Sequence, residues 1–140
     1  DYIVHCAGVT KCLNKEDFDK GNYQATVNFV EALKELDMVP ERFMYISSLS
    51  IFGPIHEEDY APISEKDEAQ PNTAYGVSKL KSEKYLQSLT DFPYVIYRPT
   101  GVYGPRAARS ARCWHKPGRI PCRTACAAQV NPSSLMPSAR

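Results

Sequence analysis

A chain of 140 residues is long enough for one modest domain, and 43% hydrophobic with 11% aromatic residues favours a folded core over disorder. The net charge of +1 conceals two unlike parts: all 16 acidic residues lie before Arg106, against 10 Lys/Arg, whereas residues 106–140 hold seven Lys/Arg and no acid. No stretch approaches the roughly 18 apolar residues of a membrane span, and residues 1–20 lack the basic-then-apolar order of a secretory signal, so a soluble, cytoplasmic protein with no membrane partner is expected.

The chain opens on Tyr2-Ile3-Val4-His5-Cys6-Ala7-Gly8, a short apolar run ending in small residues, as in a strand buried on both faces. From about Phe18 to Leu36, Ala25, Phe29, Ala32, Leu33 and Leu36 recur at three- and four-residue steps, which predicts a helix that Pro40 stops. Arg42-Phe43-Met44-Tyr45-Ile46 reads as a second strand, closed by Ser47, Ser48 and then Gly53-Pro54. Residues 54–72, acidic and proline-punctuated, read as a surface loop of functional length. Asn72 and Thr73 are candidate caps for a helix over 73–90 that buries Leu80, Leu86 and Leu89. Tyr94-Val95-Ile96-Tyr97 is a third strand. Strand, helix, strand, helix, strand argues for parallel pairing with crossovers, hence an α/β fold with a doubly wound parallel sheet.

Beyond Arg106 no helical or strand period is found, and residues 107–140 are expected to be an unstructured basic tail. Cys6, Cys12, Cys113, Cys122 and Cys126 are odd in number and share no repeated spacing, so reduced thiols are expected rather than a disulfide framework. A metal site from Cys113, His115, Cys122 and Cys126 lacks a Cys-x-x-Cys pair, and none is expected. The tail's basic residues lack interleaved aromatics beyond Trp114, so no nucleic-acid partner is expected either.

The chemistry concentrates upstream. Tyr75 and Lys79 stand four residues apart on one predicted helix face. A free phenol, with its pKa near about 10, is a poor base at neutral pH, and a nearby cation favours the phenolate. Alone, the spacing fits an exposed tyrosine beside a solvated lysine equally well. Ser48 follows a predicted strand, where open parallel sheets place ligands. Alone, it is also an ordinary strand-end turn residue.

Taken in order, Ile46-Ser47-Ser48-Leu49-Ser50-Ile51-Phe52-Gly53, Tyr75-Gly76-Val77-Ser78-Lys79 and Arg98-Pro99-Thr100-Gly101-Val102-Tyr103-Gly104-Pro105 resemble the extended short-chain dehydrogenase/reductase family, also called the NAD-dependent epimerase/dehydratase family. The opening run is similar to that family's fourth sheet strand, and Asn22-Tyr23-Gln24-Ala25-Thr26 to its helix pattern Asn-x-x-Gly-Thr, with Ala25 in place of the glycine. The resemblance covers residues 1–106 and implies a partial Rossmann-like NAD(P)-binding domain. It makes Tyr75 the general acid/base, Lys79 its activator and a ligand of the nicotinamide ribose, and Ser48 the residue that hydrogen-bonds substrate. Asn22 completes a tetrad, although a capped or solvent-facing helical asparagine explains it nearly as well. Ala7 and Gly8 are implied to lie against the cofactor ribose and pyrophosphate, and Pro99 and Thr100 beside the nicotinamide; strand-end packing and a tight turn account for the same residues. The implied cofactor is NAD or NADP, the partner a small-molecule substrate, with a homodimer through two helices. The competing reading is a nucleotide-sensing or scaffold protein that keeps the fold without the chemistry.

The sequence departs from the family in three ways. The fingerprint Gly-x-x-Gly-x-x-Gly is absent from these residues, as is the residue that would choose between NAD and NADP. The chain is therefore expected to be a fragment of a larger enzyme and inactive as written. The segment after Arg106 resembles out-of-frame translation rather than the family's continuation. Gly101 replaces the asparagine usual in sugar-nucleotide epimerases, which weakens the expectation of a sugar-nucleotide substrate and leaves the substrate open between epimerase, dehydratase and reductase chemistry.

Overall fold

The computed structural model describes residues 1–54 and 61–100, together with the backbone of 127–130. Three strands, β1 (Tyr2–His5), β2 (Arg42–Ile46) and β3 (Tyr94–Arg98), pair in parallel in that order. Ile3 sits opposite Phe43 and Phe43 opposite Tyr94; one step on, His5, Tyr45 and Ile96 align. The shared register places one row of these side chains on a single face. The three strands and two crossovers follow the predicted order, with β1 stopping at His5 rather than running to Gly8.

A fourth strand, β4 (Ala127–Val130), pairs antiparallel with β3. This corrects the expectation that residues 107–140 carry no structure. Four residues forming an edge strand through backbone hydrogen bonds need no side-chain period, so sequence pattern cannot reveal them. The rest of 107–140, with Cys113, His115, Cys122 and Cys126, lies outside the described residues.

The first crossover is helical from α1 (Lys15–Phe18) through a π-helical segment, Asp19–Gln24, into α2 (Ala25–Glu35). Of the five apolar residues expected on its inner face only Leu33 is buried; Ala25, Phe29, Ala32 and Leu36 are exposed, and Thr26 and Val30 face inward instead. Buried Thr26 is polar and so escapes an apolar count, yet it stands in step with Val30 and Leu33 at four- and three-residue spacing. Nor does Pro40 end the helix. Asp37 enters the left-handed region at φ 53°, Met38 N–H bonds the Leu33 carbonyl at 2.8 Å and Asp37 N–H the Lys34 carbonyl at 3.2 Å. Such paired bonds satisfy the last carbonyls and close the helix before the proline is reached.

The second crossover is α3 (Ala74–Ser88), capped by Thr73, whose Oγ1 accepts from Gly76 N–H at 3.0 Å. Both α2 and α3 lie on the same sheet face, where Val30, Leu33 and Leu86 pack on Phe43, Tyr45, Tyr94 and Ile96. Tyr85 on α3 hydrogen-bonds Glu31 on α2 across the helix pair. The sheet's other face carries exposed Tyr2 and Val4. No helix among the described residues is long and apolar enough to cross a membrane.

Candidate active site

The carboxyl ends of the parallel strands lie along one edge of the sheet, where open α/β folds place ligands. Cys6, Ala7 and Gly8 follow β1, Ser47 and Ser48 follow β2, and Pro99 and Thr100 follow β3. Leu49 N–H donates to the Pro99 carbonyl at 3.1 Å, tying the second of these ends to the third. Ser48 caps a short 3-10 turn, Leu49–Ile51, accepting from Ser50 N–H at 3.1 Å while its Oγ lies 3.1 Å from Ser50 Oγ.

Helix α3 presses against that turn. A Cβ at Gly76 would come within 2.5 Å of the Ser50 carbonyl oxygen, so only glycine permits this approach. The contact brings the half-buried Tyr75 phenol within the influence of the Ser48 side chain. Burial raises the Tyr75 pKa above its ordinary value, while Ser48 pulls it down. The expected lowering by Lys79 is absent from these causes, and the net direction is upward. The lysine Nζ stands 6.0 Å from the Tyr75 ring centroid and 4.9 Å from that of Tyr45, and donates to the Ile46 carbonyl at 3.0 Å.

Lys79 is only 4% exposed. Burial drives its pKa down to about 8, opposed by the charges of Glu83 and Cys6. An ammonium so poised exchanges protons near neutral pH. His5, also buried, is held below its usual pKa by burial and then by the Lys79 charge.

Asn22 lies in the π-helical segment, fully enclosed. Its Oδ1 accepts from Val9 N–H at 2.8 Å, and its Nδ2 donates to the Val9 carbonyl at 3.1 Å and to Ser78 Oγ at 2.9 Å. Ser78 in turn donates to the Tyr75 carbonyl at 2.8 Å. Asn22 is thus neither solvent-facing nor a helix cap. It straps the segment after β1 to the helix bearing Tyr75 and Lys79. A Cβ on Gly8 would stand 2.6 Å from Asn22 Oδ1 and 3.3 Å from Lys79 Nζ, so Gly8 forms the close wall of this cluster.

The structure therefore joins Ser48 to Tyr75, and Gly8 to Asn22 and Lys79; Ala7, Pro99 and Thr100 share the same sheet edge by position. Sequence reading passed over Ser78, Ser50, Gly76 and Glu83. Ser78 and Gly76 stand inside the Tyr75–Lys79 motif, and Glu83 falls one helical turn after Lys79, so helical spacing alone was a usable signal for Glu83.

Residues 1–127 match the family described as NAD dependent epimerase/dehydratase. The chain belongs to this family. The match reaches beyond Arg106 into the segment that shows no sequence period. The chain is 32% identical over 112 residues to a UDP-glucose 4-epimerase of Vibrio cholerae, covering 74% of this chain and 33% of that protein. It is 30% identical over 112 residues to a dTDP-D-glucose 4,6-dehydratase of Mus musculus, covering 75% and 30%. It thus spans about a third of the length of the curated relatives it matches. Among solved structures it is similar to RMD from Pseudomonas aeruginosa complexed with NADPH, at TM-score 0.68 and 29% identity over 75% of this chain and 38% of that one. UDP-glucuronic acid 4-epimerase from Bacillus cereus in complex with NAD gives TM-score 0.63 and 30% identity over 76% and 34%. These family members share the Rossmann-like α/β fold seen here.

Proposed function

We propose that these residues form the acid/base half of an NAD(P)-dependent epimerase, dehydratase or reductase site, with Tyr75 as general acid/base. The observation that carries this reading is the convergence of Ser48, Tyr75, Lys79, Asn22 and Gly8 at the carboxyl edge of a parallel sheet, from four separate segments. Gly8 lies so close to Asn22 Oδ1 and Lys79 Nζ that no side chain fits between them; a dinucleotide would lie against the bare backbone of Ala7 and Gly8, with Lys79 holding its ribose. Pro99 and Thr100 would flank its nicotinamide. When bound, the nicotinamide exchanges a hydride with a substrate carbon.

The chain's own residues manage the proton. Ser48 orients a substrate hydroxyl or carbonyl toward Tyr75. Tyr75 removes or returns the hydroxyl proton, a contribution typically worth about 10²–10⁴-fold in rate. Lys79, at a pKa of about 8, is charged at neutral pH and stabilises the phenolate as it forms. The named relatives act on nucleotide-linked sugars, which makes UDP- and dTDP-hexoses the first substrates to test.

In a protein carrying this chain within its complete dinucleotide domain, Tyr75→Phe is expected to lower turnover by about 10² or more while changing NAD affinity by less than about twofold. Unchanged turnover would overturn the assignment and favour a sensor or scaffold. These 140 residues contain no Gly-x-x-Gly-x-x-Gly cradle for the pyrophosphate. Calorimetric titration of the chain alone is accordingly expected to show no micromolar binding of NAD or NADP.

A further inference from the structure

Behind Tyr75 and Lys79, α3 buries a third ionisable residue that the chemistry above leaves unused. Glu83 is fully enclosed and takes the fork of Arg98. Arg98 Nη2 donates to Oε2 at 2.7 Å, and Nε lies 3.2 Å from each carboxylate oxygen. Phe52 closes the guanidinium from another side, its ring centroid 5.1 Å away.

Each member belongs to a different part of the site. Glu83 follows Lys79 by one helical turn and Tyr75 by two, so the three share a helix face. Arg98 ends β3, directly before Pro99 and Thr100. Phe52 ends the turn that Ser48 opens. Stability alone explains such a pair poorly: desolvating two charges offsets much of their attraction, and packed apolar residues of equal volume often serve as well.

Resting on the acid/base reading of Tyr75 and Lys79, we propose that Glu83 and Arg98 are positioning residues for the reaction: the pair locks the acid/base helix to the strand end bearing Pro99 and Thr100, and Glu83 supplies Lys79 with a buried counter-charge. Facing Lys79 are His5 and Cys6 from the end of β1, Tyr45 from β2, and Tyr75 and Glu83 from α3. Glu83 is the carboxylate among them. Burial favours the neutral form of His5, which therefore adds no competing charge near neutral pH. Arg98 pairs with Glu83 through its guanidinium.

The test follows Lys79 itself, by heteronuclear NMR titration of its side chain in the 140-residue protein, alongside thermal unfolding. The variants are Glu83→Gln and the double replacement Glu83→Leu with Arg98→Met. The wild-type midpoint is expected at about 8. Glu83→Gln is expected to lower it by about one unit or more, the effect of losing a nearby opposite charge. The double variant is expected to regain most of the wild-type melting temperature yet keep the lowered Lys79 midpoint. Should Glu83→Gln fail to fold, the double variant decides alone. A wild-type midpoint in the refolded double variant would reduce the pair to a structural clamp and overturn the proposal. The Lys79 midpoint does not depend on turnover. An unmoved midpoint beside a Tyr75→Phe enzyme that has lost activity rejects this proposal and keeps the acid/base reading; a shifted midpoint beside a fully active Tyr75→Phe enzyme rejects the reading on which it rests.

Discussion

The two long helices, α2 and α3, cover the same sheet face and bury opposite kinds of side chain. α2 turns Val30 and Leu33 toward Phe43 and Tyr45, whereas α3 turns Gly76, Ser78, Lys79, Ser82 and Glu83 inward, with Leu86 as its one large apolar anchor there. Burying polar groups is costly unless each finds a partner. The partners are present: Ser78 meets Asn22 and the Tyr75 carbonyl, Lys79 the Ile46 carbonyl, Ser82 the Ser78 carbonyl, and Glu83 meets Arg98. The contrast separates a helix that anchors the sheet from the helix that carries the proposed acid/base residues.

That contrast breaks most visibly in the apolar anchors. Leu33→Ala and Leu86→Ala should each cost about 2–5 kcal/mol in denaturant unfolding. Equal losses from both are expected to come with different local effects: Leu33→Ala should leave the Lys79 titration in place, while Leu86→Ala, on the helix bearing Lys79, should disturb it.

A smaller and sharper test is Ser78→Ala. It removes the acceptor of an enclosed Asn22 N–H and should cost about 1–3 kcal/mol, the penalty for a buried donor left unpaired. NMR shifts at Val9 and Tyr75 should move together, since Asn22 and Ser78 link the two. Movement at only one would mean that the strap is not continuous. Thr73→Ala, which removes the cap of α3, should cost about 1 kcal/mol and leave α2 unaffected by hydrogen exchange.

The finest test reads a slope. Lys79 has a folded pKa of about 8, below its ordinary 10.5, so the unfolded chain holds its proton more tightly. Its contribution to stability is fully present above 10.5 and is lost as pH falls through about 8. Lys79→Met should therefore stabilise the fold relative to wild type near pH 7. That advantage should shrink as pH rises from about 8 toward 10.5, and a constant difference would show that the ammonium is not buried as described.

Local pattern was sufficient for the three parallel strands and for the positions of the helices. Tyr94–Tyr97 and Arg42–Ile46 are bounded runs whose length and flanking residues admit little else, and Ser48, Tyr75 and Lys79, singled out by order and spacing, are brought toward one edge of the sheet by the fold. The family resemblance that these motifs suggested agrees with the family match. Failures fell where the pattern was not apolar or not local. The inward face of α2 was misplaced because it is partly polar: Thr26 is buried with Val30 and Leu33, while Ala25, Phe29 and Ala32 are exposed. The inward face of α3 was misread, since Leu80 and Leu89 are only partly buried while Lys79 and Glu83 are enclosed. β4 went unseen because an edge strand is recruited by a neighbour's free backbone groups.

By itself, the sequence determined the α/β order, the strand ends that share one sheet edge and the residue types that the proposed site draws on there. These depend on periodicity and motif spacing, which are properties of neighbours along the chain. Only the tertiary structure decided that Asn22 is a strap, that Gly8 walls the Lys79 cluster, that burial outweighs Ser48 at the Tyr75 phenol, and that Glu83 grips Arg98 beneath them. Those outcomes depend on desolvation and on partners far apart in sequence, quantities that exist only once the chain has closed around them.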